Sequence, residues 1–506
     1  MKVYASPVST VQPTDHRDIV IINGSSPKEL VDEKDSRGQG FKDSSEMPNL
    51  LKRLDNKTIL LFSGLLLIAL FLSFGIAHVK PTVALTVMGG IAIFIISFVS
   101  AEAALYILIF SMLLGPEFIV GQIGGEAAVE RGVTLRLDDF LLVLIGFSWF
   151  AKSAIYKELG LFLKTPLNKP IFYYIAAMVL STAFGIMFGR VQIKTGFFFI
   201  LKYIEYFIVY FMGTNNVRDR KQIKYWVIAI LLTSAIVSIV GIYQIPTGGR
   251  VTAPFEGAEG EPNTLGGYLV LILSIVTGLF LTTESRRNKI LLGFLGFLII
   301  IPFLSTQSRG SYLAILPMYF VLLILSEKRI GLAITLTILV SLGPFLMPSV
   351  VTDRIAYTFT QAKEAGQIKV GKTTIDTSTS ARLQSWKNVV MKDWIKHPLL
   401  GYGVTGYRFL DAQYPLILAE TGLLGIVAFF WLIYSLLSTA LKTYRSTTDR
   451  FYKGLSLGFI AGLIALLTHA IGANTFIIVR IMEPFWFLAA IVIMLPVLEG
   501  QEQLHS

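Results

Sequence analysis

Four arginines stand close to the ends of long apolar stretches, where a free charge is costly, and three more lie in the one long polar stretch between such runs. Arg309 lies in Ser305-Thr306-Gln307-Ser308-Arg309-Gly310-Ser311, a short polar break between two apolar runs. Arg250 lies in Gly248-Gly249-Arg250-Val251-Thr252-Ala253-Pro254-Phe255, just ahead of Glu261-Pro262-Asn263-Thr264-Leu265-Gly266-Gly267. Arg190 and Arg480 are similarly isolated, and Arg354, Arg382 and Arg408 are spread through the long polar stretch 348–414. An arginine between two membrane spans is expensive unless something anionic uses it. A diphosphate would, because guanidinium forks bind phosphate oxygens two at a time. The bland alternative is snorkelling to lipid headgroups. It serves Arg190 and Arg480, taken singly, as well as a ligand does, but it explains the whole group less well.

The elements that must hold these residues are membrane helices. Of 506 residues 54% are hydrophobic and only 15% are charged, against about 25% charged in soluble domains. The chain reads as an all-α polytopic integral membrane protein. Apolar runs fall near 59–77, 82–99, 102–121, 138–153, 170–189, 195–213, 225–245, 264–282, 289–305, 310–326, 330–347, 415–438, 454–473 and 477–498. At about 20 apolar residues per crossing, that predicts about fourteen transmembrane helices (roughly 12–14). Residues 1–55 are polar and turn-rich without a secretory apolar core, and read as a disordered cytoplasmic tail. A first bundle of about eleven spans then occupies 56–347 and about three more occupy 415–500. Between the bundles lies one long loop, 348–414, and the chain closes on a short tail, 501–506.

Charge orients the spans. With the N-terminus in the cytoplasm, the inner loops hold Lys152/Lys157/Lys164/Lys169, Arg218/Arg220/Lys221/Lys224, Arg286/Arg287/Lys289, Lys328/Arg329 and Lys442/Arg445/Arg450/Lys453. Each is basic, as the positive-inside rule requires. Both termini are then cytoplasmic, and the long loop and the seven arginines face outward. The net charge of +11 belongs largely to these inner loops and fits a lipid bilayer, with no nucleic acid implied. Cysteine is absent, which excludes disulfides, thiolate nucleophiles and Cys-bound metal. No Walker or dinucleotide fingerprint and no paired-Asp metal cage is visible, so neither a cofactor nor a metal is expected.

Within the long loop, Ser378-Thr379-Ser380 can cap a helix running to about Lys396. Leu383, Trp386, Val390 and Trp394 form one apolar stripe on it, as an amphipathic helix lying at the outer interface would have. Asn263 or Thr264 is placed to cap the helix after Pro262. Glu420 starts a span on the outer side and is available to an outer arginine, while His469 and Asn474 lie within the span near 454–473. For these two, hydrogen bonding between helices is the commoner role.

The order of parts resembles the O-antigen ligase/polymerase superfamily of bacterial envelope glycosyltransferases. The likeness runs roughly from Asp139 to Ile433 and is most specific from Arg382 to Gly425. Its elements are Arg250 before Pro262-Asn263, Ser308-Arg309-Gly310, Arg382-x-x-x-Trp386, His397-Pro398-x-x-Gly401 and Ala419-Glu420-x-Gly422. The resemblance implies a GT-C-like architecture in the bacterial inner membrane, with the site outside. It further implies a metal-independent inverting transfer from a polyprenyl (undecaprenyl) diphosphate-linked oligosaccharide to an acceptor glycan or glycolipid. A chain-length regulator protein is a further partner it allows. Arg309 and Arg250 take the catalytic, diphosphate-stabilising role, with Arg382, Arg190, Arg480, Arg408 and Glu420 as substrate-binding residues. His397 matches a helix-end position. Where the family commonly has His-Asn ahead of Ala-Glu-x-Gly, this chain has Asp411-Ala412. A carboxylate can accept a hydroxyl proton as His does, which makes Asp411 the candidate base. A lipid-linked oligosaccharide transporter is the main alternative, but matched halves with interrupted spans are not found here. A non-catalytic scaffold is motivated only by the missing His.

Overall fold

The computed structural model describes residues 81–119, 134–155, 163–256, 260–346, 348–362, 364–370 and 373–505. The expected tail 1–55 and first span near 59–77 lie outside the described residues. Apolar runs give helices, and Gly, Pro and capped polar turns end them. The order is α1 (Pro81–Val99), α2 (Ala101–Leu114), β1 (Glu117–Ile119), β2 (Thr134–Arg136), α3 (Leu137–Ile155), α4 (Asn168–Met187), α5 (Ile193–Asn216), α6 (Arg220–Gln244) and α7 (Pro262–Thr282). There follow α8 (Arg286–Ser305), α9 (Arg309–Leu325), α10 (Arg329–Leu346), α11 (Ser349–Thr360), β3 (Lys369–Val370), β4 (Thr373–Thr374), α12 (Thr377–Asn388), α13 (Gln413–Ser446), α14 (Arg450–His469) and α15 (Val479–His505).

Among the described residues eight helices are long and apolar enough to cross a membrane, namely α4 to α8 and α13 to α15. The chain is a helical, multi-pass membrane protein. It is not purely helical, however. The apolar run near 102–121 leaves the helix at Gly115-Pro116, and β1 pairs antiparallel with β2, Glu117 opposite Arg136. A proline has no N–H to continue the ladder of helical bonds. A second ribbon, β3 with β4, lies in the long loop.

The bundle centres on α7 and α14, whose backbones touch through glycine. A Cβ added to Gly278 would stand 2.4 Å from the Gly454 carbonyl and 2.5 Å from the Gly458 amide. Small residues permit such close packing where no hydrophobic drive separates helix from lipid. Against this pair packs α15, buried along most of its length; its Trp486 sits among Tyr206, Phe207 and Tyr210 of α5.

One end of the bundle carries the end of α6, the turn between α8 and α9, the start of α7, and the long loop. Two sequence segments fasten that loop. Inside α13, Gly422 takes φ 62° and ψ −158°, breaking the helical bonds. The freed amides of Leu423 and Leu424 donate to the carbonyls of Pro398 and Leu399 at 2.8 and 3.1 Å. In return, Tyr402 and Gly403 donate to the carbonyls of Ala419 and Glu420 at 2.9 and 2.8 Å. A Cβ on Gly401 or Gly422 would lie 2.5 Å from the facing backbone. The glycines of His397-Pro398-x-x-Gly401 and Ala419-Glu420-x-Gly422 are therefore a backbone-to-backbone clasp.

Candidate active site

Arg309 opens α9 as its first residue. The turn before it is tight because Gln307 sits in the left-handed region at φ 52°. Ser308 caps the helix, accepting from the Ser311 amide, and its hydroxyl donates to Asn263 Oδ1 at 2.8 Å. The Ser311 hydroxyl in turn donates to Ser308 Oγ at 2.8 Å. Both hydroxyls are buried and occupied in holding the turn, so the cation is what the turn presents. A positive residue in the first turn has the wrong sign for the helix dipole. Asp376 compensates: Arg309 Nη1 and Nη2 donate to Asp376 Oδ2 and Oδ1 at 2.7 and 3.0 Å, and Nη1 also donates to Thr358 Oγ1 at 2.7 Å. Asp376 is 1% exposed and also caps α12 through the Thr379 amide and hydroxyl. Burial works to raise its carboxyl, but the bonds from Arg309 and Thr379 outweigh that and hold it down at about 2. Of the five guanidinium N–H groups, three are committed. The Nε–H and one Nη2–H remain, and they lie on one edge, the geometry of a phosphate fork.

Two more arginines are held by the carbonyls of the same turn. Arg250 Nε donates to Thr306 O at 3.0 Å and its Nη2 to Gln307 O at 3.3 Å, while Arg354 Nε donates to Gln307 O at 3.4 Å. Both guanidinium groups have depressed pKa values, through partial burial and then through neighbouring arginines: Arg354 acts on Arg250, and Arg309 on Arg354. They are cations crowded together. Across from them on α12, Arg382 donates through Nε to Asp411 Oδ2 at 3.2 Å and through Nη1 to Ser378 Oγ at 3.0 Å. Its Nη2 also reaches Asp411 Oδ2.

Arg250, Arg309, Arg354 and Arg382 line one cavity of about 740 Å³. Much of its remaining wall is apolar, including Leu313, Leu316, Phe359 and Trp386. A concave site with a few converging polar groups on an apolar wall is the usual form of a ligand site. This combination suits an anionic group that carries a hydrocarbon tail.

The other expected site residues are placed elsewhere. Asp411 is 38% exposed and reaches the cavity through Arg382. Arg190 lies against the rings of Phe188 and Tyr402, at 5.1 and 5.8 Å. Arg408 stacks on Tyr407 at 5.7 Å beside a separate open pocket that also contains Lys392 and Asp393. Glu420 is buried beneath the clasp, accepting from the Thr405 amide at 3.0 Å. Arg480 is 1% exposed, donates to the carbonyls of Pro254 and Leu113 at 2.8 and 3.1 Å, and stands 3.6 Å from Glu256. That carboxylate accepts from the amides of Ala253 and Glu261, so Arg480 braces the loop that follows Arg250. His397 closes a helical end, its amide on Trp394 O, with its ring edge-on to Tyr402. His469 and Asn474 are buried and bond Thr475 Oγ1 and the Leu410 carbonyl.

Several expectations about local geometry are corrected. The cap of α12 is Asp376, ahead of the Ser-Thr-Ser run. The helix does not run unbroken to Lys396: a π turn covers Val389–Asp393 and a 3-10 turn Trp394–Lys396. The extra residue in a π turn rotates the register, so Val389 is buried and Val390 is 44% exposed. Neither Asn263 nor Thr264 caps α7; Glu261 precedes it, with Pro262 as first residue. Arg354 counts among the outward arginines of the sequence but carries no expected site role there, and Asp376 has none either. Asp376 carries no local signal, for its partner is 67 residues away. Among the described residues, Asp138, Glu205 and Glu483 bring carboxylate oxygens within 4.8 Å of one another and are the group that could hold a metal. Asp138 is already paired with Arg136 at 2.6 Å, and none of the three lines the arginine cavity.

The fold and cavity define a multi-pass membrane protein with a cationic, partly apolar site at one end of its bundle. Residues 294–430 match the protein-family model for O-antigen ligase, so over this stretch the resemblance to the O-antigen ligase/polymerase superfamily is borne out. The match supports a polysaccharide ligase or polymerase role, that is, an enzyme of the glycosyltransferase type. It contains Arg309, Arg354, Arg382 and Asp411, while Arg250 joins them by geometry alone. No curated protein matches the chain.

Proposed function

We propose that the chain moves a glycan from a polyprenyl diphosphate to an acceptor sugar hydroxyl, at the outer face of the bacterial inner membrane. The observation that carries this is the convergence of four arginines on one apolar-walled cavity within and beside the family segment. The diphosphate would lie across Arg250, Arg309, Arg354 and Arg382, and its prenyl chain along Leu313, Leu316 and Phe359. The acceptor oxygen attacks the sugar C1 from the face opposite the phosphate. The C1–O bond breaks, its electron pair leaves on the diphosphate, and the anomeric centre inverts. Charge grows on the leaving oxygens, where prearranged guanidinium donors stabilise it most. The hydroxyl proton goes to Asp411. Both bonds from Arg382 land on Oδ2, so Oδ1 is the oxygen left to receive it. Arg190, Arg408, Arg480 and Glu420 lie outside this cavity and act in the proposal through the loop and its supports. The acceptor is a second lipid-linked glycan or a glycolipid, and no metal is required.

The test is transfer by purified protein from a lipid-diphosphate-linked oligosaccharide in the presence of EDTA. Product formation with inverted linkage is expected. Loss of activity in EDTA, restored by a divalent ion, would refute the metal-independent mechanism.

A further inference from the structure

A second cavity lies at the opposite ends of the helices that carry the arginine site. Arg250 follows the end of α6 and Arg309 follows the end of α8, whereas this cavity opens at the starts of both. Twenty residues of α8 separate the two ends, about 30 Å of rise. It measures about 750 Å³, within the usual range for a small-molecule site. Its walls are apolar side chains of α6 and α8, among them Ile228, Leu232, Leu291 and Phe294, each more than half exposed.

Apolar exposure alone is expected of any surface facing lipid. The mouth is what distinguishes this groove. Arg220, Lys224 and Arg450 stand there. Arg220 pairs with Asp449 and Arg450 with Glu284. Lys224 has a ring neighbour, Phe451 at 5.8 Å, but no carboxylate partner among the described residues. Three cations therefore face two carboxylates. The groove also receives the N-terminal ends of α6, α8 and α14, each carrying partial positive charge. A ligand complementary to this arrangement has a hydrocarbon body and one net negative charge at its head.

We propose that the groove between α6, α7 and α8 binds one anionic phospholipid of the leaflet opposite the arginine cavity. An acyl chain lies between Leu232 and Phe294, and the phosphate sits at Lys224 and Arg450. A basic pocket between helices at a membrane face is a recognised form of lipid-headgroup site. A zwitterionic lipid fills the same groove but leaves the surplus charge unmatched.

The full chain, purified in neutral detergent, is mixed with phosphatidylglycerol or phosphatidylcholine of the same acyl composition. Retained lipid is counted by native mass spectrometry and thermal unfolding is followed in parallel. Phosphatidylglycerol is expected to be retained preferentially and to raise the Tm. Lys224→Gln, at an exposed position, should lower that retention roughly fivefold, the effect of one near-surface basic group. Ala235→Trp, which fills the groove from α6, should abolish it. Equal retention of the two lipids, or undiminished phosphatidylglycerol on either variant, would overturn the proposal.

Discussion

Arg309 illustrates how a single residue is made usable. Its end-on fork is committed to Asp376 and Thr358, which fixes the plane of the guanidinium and leaves its Nε edge without a bond among the described residues, in a side chain that lines the cavity. Arg309→Ala should cost roughly 2–4 kcal/mol of transition-state stabilisation, or about 30- to 1,000-fold in rate. Arg309→Lys should also fail, since an ammonium cannot serve Asp376 and a phosphate with one fixed geometry. Arg354→Ala is expected to lose activity comparably. Normal turnover of that variant, measured as glycan transfer by the purified protein, would remove Arg354 from the site. For Asp411, the Asn variant keeps a hydrogen-bond acceptor for Arg382 but takes no proton, and should slow transfer roughly 10²–10⁴-fold. Asp411→His should recover part of that loss. If Asp411→Asn turns over normally, the residue merely positions Arg382.

At the scale of elements, the clasp and the α12 cap decide whether the arginines meet at all. Gly422→Ala places a Cβ 2.5 Å from Leu399 backbone in a conformation that L-residues avoid. It should cost about 1–3 kcal/mol or more, read as earlier thermal unfolding and faster proteolysis of the long loop. The loop has a pH limit as well. The Asp376 carboxyl sits at about 2 when folded, below the roughly 3.9 of a free Asp. A depressed value means that its contribution is complete above about pH 4 and is lost as pH falls toward 2. Loss of loop protection in hydrogen exchange should therefore begin below about pH 4 in the parent. Asp376→Asn retains the helix cap but lacks that acid transition, and at neutral pH it should raise KM for the lipid donor by loosening Arg309.

For the whole molecule, the placement of the arginine cavity and the basic loops at opposite helix ends predicts an orientation. The positive-inside rule puts Arg218–Lys224, Arg286–Lys289 and Arg445–Lys453 in the cytoplasm. A reporter inserted at the exposed turn of Gly366 should therefore read periplasmic, and one fused after Ser506 cytoplasmic. A cytoplasmic signal from Gly366 would place the cavity on the side where no outward acceptor could be reached.

The sequence by itself determined the solvent of this protein and most of its helices, and it marked the group of arginines from which the proposed site is drawn. Apolar runs must be buried in lipid or core, and isolated charges between them demand a partner; both constraints are local and legible. It also marked the glycines of the clasp without disclosing that Gly401 and Gly422 face one another. The tertiary structure alone decided which arginines share a cavity. Arg480, equivalent to Arg250 by its position at a span end, became a buried brace because the chain folds Glu256 and the Pro254 carbonyl over it. Arg354 entered the site because the Gln307 carbonyl holds it there. Asp376 became the partner of Arg309 across 67 residues, a separation at which no periodicity or spacing carries information. Side-chain pairing over such distances is fixed by packing of whole helices, and only the assembled bundle expresses it.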